Sequence, residues 1–183
     1  MIKKKSAYLA CVFLLAGGAS QAQTCNPNIL ATTPSEHFEV HGDGTVTHKK
    51  TGLMWKVCTE GQIWKTDGSC SGSGEWTSWS DALESPENAN DNGGDFGYTD
   101  WRLPNIKELA SITELKCKDP SINKAIFPST MPNQYWTSSV DYDTGNDNSK
   151  TRVITFGSGY DLNIDRFGTG SNYVRLVRTA PEE

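Results

Sequence analysis

Three histidines are all that this chain of 183 residues possesses, and they fall close together at His37, His41 and His48. A Ser-His-Asp or Cys-His mechanism needs a histidine held beside a nucleophile and oriented by a third group. No Gly-x-Ser-x-Gly elbow or comparable motif accompanies them, so the sequence offers no catalytic residues. Positive charge is scarce as well, with 17 lysines and arginines against 22 acidic residues. The chain also lacks internal repeats, a linker between blocks of different composition and a low-complexity tail, and residues 23–183 therefore read as one domain.

Long apolar runs are missing except at the beginning. MIKKKSAYLACVFLLAGGASQA sets three lysines before about a dozen mostly apolar residues and the small-x-small ending Ser20-Gln21-Ala22, the layout of a secretory signal peptide. The run is shorter than the roughly 20 residues that span a bilayer, so cleavage after Ala22 is expected and no stable membrane span remains. Cys11 lies inside that run, with Tyr8 where a lipobox needs an aliphatic residue, which disfavours a lipid anchor. An exported protein follows, in the periplasm, at the cell surface or outside the cell.

Removal of Lys3, Lys4 and Lys5 with the leader leaves 14 basic against 22 acidic residues, a formal charge of −8. Nucleic acid is excluded as a partner, because phosphate binding needs a net or local basic footprint. Four cysteines remain, Cys25, Cys58, Cys70 and Cys117, and an even number in an exported chain implies two disulfides. Of the three connectivities they allow, we prefer Cys58–Cys70, whose short Gly-rich loop closes locally, with Cys25–Cys117 tying the N-terminal arm to the middle of the domain.

HFEVHGDGTVTHKKTGLMW reads as a hairpin turning at Gly42-Asp43-Gly44. With His41 opposite Thr45, the residues Phe38, Val40 and Val46 share an inward face, and His37, Glu39, His41 and Thr47 share the other. His48 then falls on the face opposite His37 and His41. With no cysteine to spare, a zinc site is disfavoured, and the histidines read as solvated strand residues.

Residues 60–98 are rich in turns. Their one regular element is expected to be a short helix from Ser78 or Ser80 to Glu84, burying Trp79, Ala82 and Leu83 and ended by Pro86. In TDWRLPNIKEL, Pro104 disfavours helix at Leu103, Asn105 is a good N-cap, and Glu108 completes a capping-box pair ahead of a helix of about three turns carrying Ile106, Leu109, Ala110 and Thr113 on one side. Trp101 is then a core anchor and Arg102 a hydrogen-bond hub. TRVITF, GYDLNIDRF and SNYVRLVR form β-rich runs expected to close the domain as an antiparallel meander, giving an α+β fold.

TGLMWKVC, DWRLPNIKEL, the FP…YWTSS run and the terminal YVRLVR occur in that order over about Cys25 to Arg178. As a set they resemble the Lcl C-terminal-like domain family, named after the C-terminal domain of a bacterial collagen-like adhesin and of unknown function as a family. The resemblance implies a C-type-lectin-like scaffold, with short helices and small antiparallel sheets carrying long loops. The adhesin implies binding to sulfated glycans or other surface polymers. Leu176 stands where the family's final motif often carries a cysteine. The Glu-Pro-Asn or Gln-Pro-Asp and Trp-Asn-Asp motifs of calcium-dependent sugar binding are absent.

A −8 domain receives a polyanion only through a local cluster such as Arg152, Arg166, Arg175 and Arg178, and the candidate ligand-binding set is Trp136, Arg152, Arg166 and Arg175. The resulting expectation is a non-catalytic binding or adhesion domain for a glycan or a cell-envelope component. The alternatives are a periplasmic assembly part or, on fold analogy with the formylglycine-generating oxidases, an enzyme. Those oxidases need reactive cysteines, and a chain that pairs all four has none free.

One metal site is carried by DYDTGNDNSK, where Asp141, Asp143 and Asp147 occupy positions 1, 3 and 7 of a Gly-containing loop, a spacing that offers hard oxygen ligands to calcium. The same residues also make a plain solvated turn. If calcium binds, millimolar calcium raises the melting temperature and Asp143→Ala abolishes the rise; calorimetry after chelation checks this, and an unchanged melting temperature leaves the loop a turn.

Overall fold

In the computed structural model, which describes residues 22–141 and 149–181, short extended runs alternate their side chains between two separate cores. The chain passes through β1 (Thr24–Cys25), β2 (Phe38–Val40), β3 (Thr45–His48), β4 (Leu53–Lys56), β5 (Ile63–Trp64), β6 (Cys70–Ser71), α1 (Trp79–Asn90), α2 (Ile106–Ala110), β7 (Cys117–Lys118), β8 (Gln134–Asp141), β9 (Lys150–Thr155), β10 (Tyr160–Asp165) and β11 (Val177–Thr179). Helices and small antiparallel sheets are mixed along it, as an α+β reading requires. The expected signal peptide up to residue 21, and Asp143 and Asp147 of the expected calcium loop, lie outside the described residues.

The N-terminal sheet has the order β11-β4-β3-β2, and the C-terminal sheet the order β10-β9-β8. Phe38 pairs with His48 and Val40 with Val46, and His41 N–H donates to the Thr45 carbonyl at 3.2 Å, which is the hairpin register expected. Gly44 at the turn has a φ of +107°, and a Cβ there would lie 2.7 Å from the Phe96 ring, so both backbone and packing demand glycine. Two expectations for this hairpin are corrected. Val40 is exposed, because β2 is the edge strand and its far end has run past the core. His48 is buried rather than solvated, stacked on Phe38 at 4.8 Å between ring centroids, because it shares the inward face with its cross-strand partner.

Burial on both faces sets the central strands apart. In β4, Leu53 and Trp55 enter one core with Phe127, Tyr135, Phe156 and Val177, while Met54 enters the other with Trp101, Trp136, Val153 and Leu176. The terminal run YVRLVR alternates in the same way. It leaves the expected meander, because β11 pairs with β4 (Val177 opposite Trp55) and thereby joins the chain's end to its first hairpin. The meander that does form is β8, β9 and β10.

Helix α1 begins where Ser78 accepts from the Asp81 N–H, but it runs on to Asn90 with Pro86 inside it. Proline there removes one helical hydrogen bond. The helix persists because Ala89 is buried beyond the proline and the Asn90 amide clamps the Trp101 backbone, donating to its carbonyl at 2.9 Å and accepting from its N–H at 2.8 Å. Ala82 is buried and Trp79 half-buried as expected, whereas Leu83 faces solvent. Helix α2 has the expected capping box between Asn105 and Glu108 but only five residues, since Thr113 is drawn into a bridge with Ile122. The disulfides are Cys25–Cys117, across the β1–β7 pair, and Cys58–Cys70, closing the loop that carries β5 and β6.

Trp101 is 2 % exposed in the second core and donates its indole N–H to the Asp95 carbonyl at 2.9 Å. Trp101→Ala is expected to cost about 3–5 kcal/mol by leaving a ring-sized void. Denaturant unfolding of the two proteins measures it, and a loss below about 1 kcal/mol would remove Trp101 from the core's anchors.

Candidate functional site

The residues singled out for chemistry divide into those spent inside the fold and those left at its surface. Arg175 belongs to the first group. It is 1 % exposed, its Nη1 donates to the carbonyls of Lys56 at 2.9 Å and of Val57, and its Nη2 donates to the hydroxyls of Thr130 at 2.8 Å and Thr59 at 3.3 Å. Its guanidinium lies 4.8 Å from the Phe127 ring. Burial pulls its pKa below the ordinary arginine value, opposed by Tyr135 and Glu60. Arg175 was expected in a cationic cluster that could receive a polyanion; it is instead enclosed by the exit of β4 and by Thr130.

Trp136 is likewise 1 % exposed and donates its indole N–H to the Thr77 carbonyl at 2.7 Å. Arg152 is ion-paired with Asp161, and Arg178 donates from Nε to Asp100 at 2.6 Å while lying 4.0 Å over Tyr98. Arg166 stacks on Trp79 at 5.3 Å and on Phe167 at 4.7 Å. Each of the four arginines is thus committed to a different set of partners. Arg102, expected as a hydrogen-bond hub, forms a two-pronged pair with Glu108 at 2.7 and 2.6 Å.

Several polar anchors carried no signal in the sequence. Lys56, 4 % exposed, reaches both Glu60 oxygens at 3.1 Å and Asp95 at 2.6 Å. Glu114, also 4 % exposed, accepts from the backbone N–H groups of Thr32, Thr33 and Lys116 and so fastens the N-terminal arm. Among the described residues no group of three or more His, Cys, Asp or Glu side chains is arranged to hold a metal ion.

The surface feature with open chemistry is a groove of about 640 Å³ between the ends of the C-terminal sheet and the loop before α1. Thr77 and Asn172 exchange backbone hydrogen bonds at 3.1 and 2.9 Å, and Tyr173 N–H donates to the Gln134 carbonyl at 3.0 Å, which brings residues 75–78, 133–134 and 171–173 together. A Cβ at Gly74 would lie 2.8 Å from the Tyr173 ring. Glycine there lets Tyr173 approach, and Trp76 packs edge-on against it at 4.8 Å while remaining 51 % exposed. Asn133, Gln134, Thr155, Asp165, Ser171 and Asn172 supply the polar lining. Among the described residues, no lysine or arginine lines the groove. Neither Trp76 nor these polar residues stood out in the sequence, because amides, serine and threonine in turn-rich segments read first as turn formers.

Residues 44–178 match the Lcl C-terminal domain family. The chain belongs to that family. The match begins at the hairpin glycine and ends in β11, so it takes in both cores and the groove but leaves out β1, β2 and the arm that Glu114 holds. No curated protein matches the chain. Within the Lcl C-terminal region, TGLMWKVC and YVRLVR are neighbouring strands, and DWRLPNIKEL meets them through the bridge between Arg102 and Val177.

The buried ionisable groups set a direction for pH. Burial raises the Glu114 carboxyl, but the three backbone N–H groups and the Thr33 hydroxyl outweigh it and hold it below the ordinary glutamate value. For Glu108 burial is likewise outweighed, by Arg102 and the Asn105 N–H. His48 is lowered by burial and by the charges of His37 and Lys50. A depressed value means the folded state binds its proton less tightly than the unfolded chain, so each of these groups loses stability on acidification. Glu60, raised by burial against the pull of Lys56, works in the opposite sense. Thermal melts should therefore fall gently below about pH 6.5, from His48, and more steeply below about pH 4.3, from the carboxylates. Glu114→Gln should lower stability at neutral pH and flatten the second fall; an unaltered acid limb would show that Glu114 is not its source.

Proposed function

We propose that the chain is an exported, non-catalytic binding module on a C-type-lectin-like scaffold, and that the Trp76 groove holds its ligand, a glycan or another cell-envelope component. The observation that carries this reading is a half-exposed tryptophan, held in place by Tyr173, beside amide and hydroxyl side chains. Among the described residues, Asn133, Gln134, Thr155 and Ser171 present amide and hydroxyl groups to the groove from exposed or part-exposed positions, with Asn172 beside them. Polar groups at such positions can exchange water for the hydroxyls of a bound molecule.

Two further facts support binding over turnover. The two disulfides occupy Cys25, Cys58, Cys70 and Cys117, leaving none of these four thiols for the chemistry of the formylglycine-generating oxidases. Disulfides are also what an oxidising compartment allows, which agrees with export. No described helix is long and apolar enough to cross a membrane.

Isothermal titration of mature protein with fractionated envelope polysaccharide is the direct test. Trp76→Ala should reduce affinity at least about tenfold, the loss typical of a central aromatic contact, while changing stability by no more than about 0.5 kcal/mol. Saturable binding that survives Trp76→Ala would move the site elsewhere, and the absence of saturable binding would favour an assembly role.

A further inference from the structure

The lining of the Trp76 groove specifies the charge of what it takes. We infer that it is a subsite for an uncharged pyranose chain, a neutral hexose or N-acetylhexosamine oligosaccharide, and not for a sulfated or otherwise anionic polymer. This rests on the reading of the groove as the binding site.

Three observations carry the inference. The first is the aromatic platform. A pyranose has a face of aliphatic C–H groups, and an exposed indole fixed by a second ring offers the flat apolar surface that such a face stacks on. Trp76 meets this requirement, being 51 % exposed and packed edge-on to Tyr173 at 4.8 Å.

The second is the kind of polar group around it. Sugar hydroxyls act as donor and acceptor at once, and side-chain amides and hydroxyls answer both roles. Asn133, Gln134, Asn172, Thr155 and Ser171 are all of that kind. Asp165 adds an acceptor, with its Oδ1 already receiving the Phe167 N–H at 2.8 Å.

The third is charge. The one ionised side chain lining the groove is the Asp165 carboxylate, and a sulfate placed there would meet repulsion with no cation to offset it. The nearest arginine in sequence, Arg166, lies over the Trp79 and Phe167 rings and is absent from the lining. A groove of about 640 Å³ falls within the usual size of small-molecule sites, so it holds a short oligosaccharide rather than a lone ion.

The experiment titrates mature protein with neutral gluco-, manno- and N-acetylglucosamine oligosaccharides and, in parallel, with a sulfated glycosaminoglycan, each at about 50 and about 500 mM salt. Binding to at least one neutral series is expected, with affinity changing less than about twofold between the two salt concentrations. Trp76→Ala should weaken it by about tenfold or more, and Trp76→Phe should recover part of the loss. Asp165→Lys tests the charge argument separately, because it should admit the sulfated polymer in a salt-sensitive manner. Binding of the sulfated chain alone to the unaltered protein, weakened by salt, would overturn the inference while leaving a glycan-binding module. Loss of a non-sugar envelope ligand on Trp76→Ala, with every oligosaccharide inert, would overturn the sugar and keep the groove. No saturable binding of any probe would overturn both readings.

Discussion

A guanidinium buried with no carboxylate in hydrogen-bonding contact is the constraint on which much of this structure depends. Taking a charge out of water is costly unless its hydrogen-bonding groups are satisfied. Arg175 is satisfied by the carbonyls of Lys56 and Val57 and by the hydroxyls of Thr59 and Thr130. Those partners must therefore stay where they are. The segment leaving β4 is fixed through residue 59, which sets Cys58 where Cys70 can reach it, and Thr59 is in turn held by the Tyr135 hydroxyl at 2.8 Å. One side chain from the end of the chain thus pins the exit of the first hairpin, the disulfide loop and the segment before β8. Only its two terminal nitrogens are bonded in this way, and its Nε has no partner among the described residues.

β4 is buried along its whole length, with Leu53 and Trp55 in one core and Met54 in the other. The proposed site lies at the rim, where strands end and loops meet. The Trp76 groove is built from such ends: the start of β8, the close of β9, the last residues of β10 and the approach to β11. Its walls are nonetheless tied to the interior. Thr77, beside Trp76, accepts from the buried Trp136 indole, and Tyr173 pairs with β8 through the bridge to Tyr135. A site on loops gains rigidity when its backbone is bonded to a core in this way.

Local signals were legible wherever the physics is local. The capping box of Asn105 and Glu108, the hairpin register about Gly42-Asp43-Gly44, the burial of Trp101 and the pairing of the cysteines all follow from spacing a few residues wide or from the parity of the cysteine count. What failed required knowledge of which strand lies against which. Arg175 alternates with valine and leucine as a solvent-facing residue would, and only the fold brings the exit of β4 and Thr130 around it. Pro86 is a helix breaker by local rule and is overridden by the Asn90 clamp on a distant tryptophan. The groove was illegible for the same reason, since its lining comes from residues 76, 133–134, 155, 164–165 and 168–172, which share no motif.

The scaffold also bears on the binding proposed for the groove. Ordering a loop and its side chains on association consumes part of any interaction energy, and a site already ordered avoids that loss. The indole of Trp76 has two rotatable side-chain bonds and rests on Tyr173, so stacking a ligand on it restricts little further motion. The neutral polymer proposed here would not oppose the negative field of a chain whose acidic residues outnumber its basic ones by 22 to 17. A polyanion would have to overcome that field at a groove that offers it no cation.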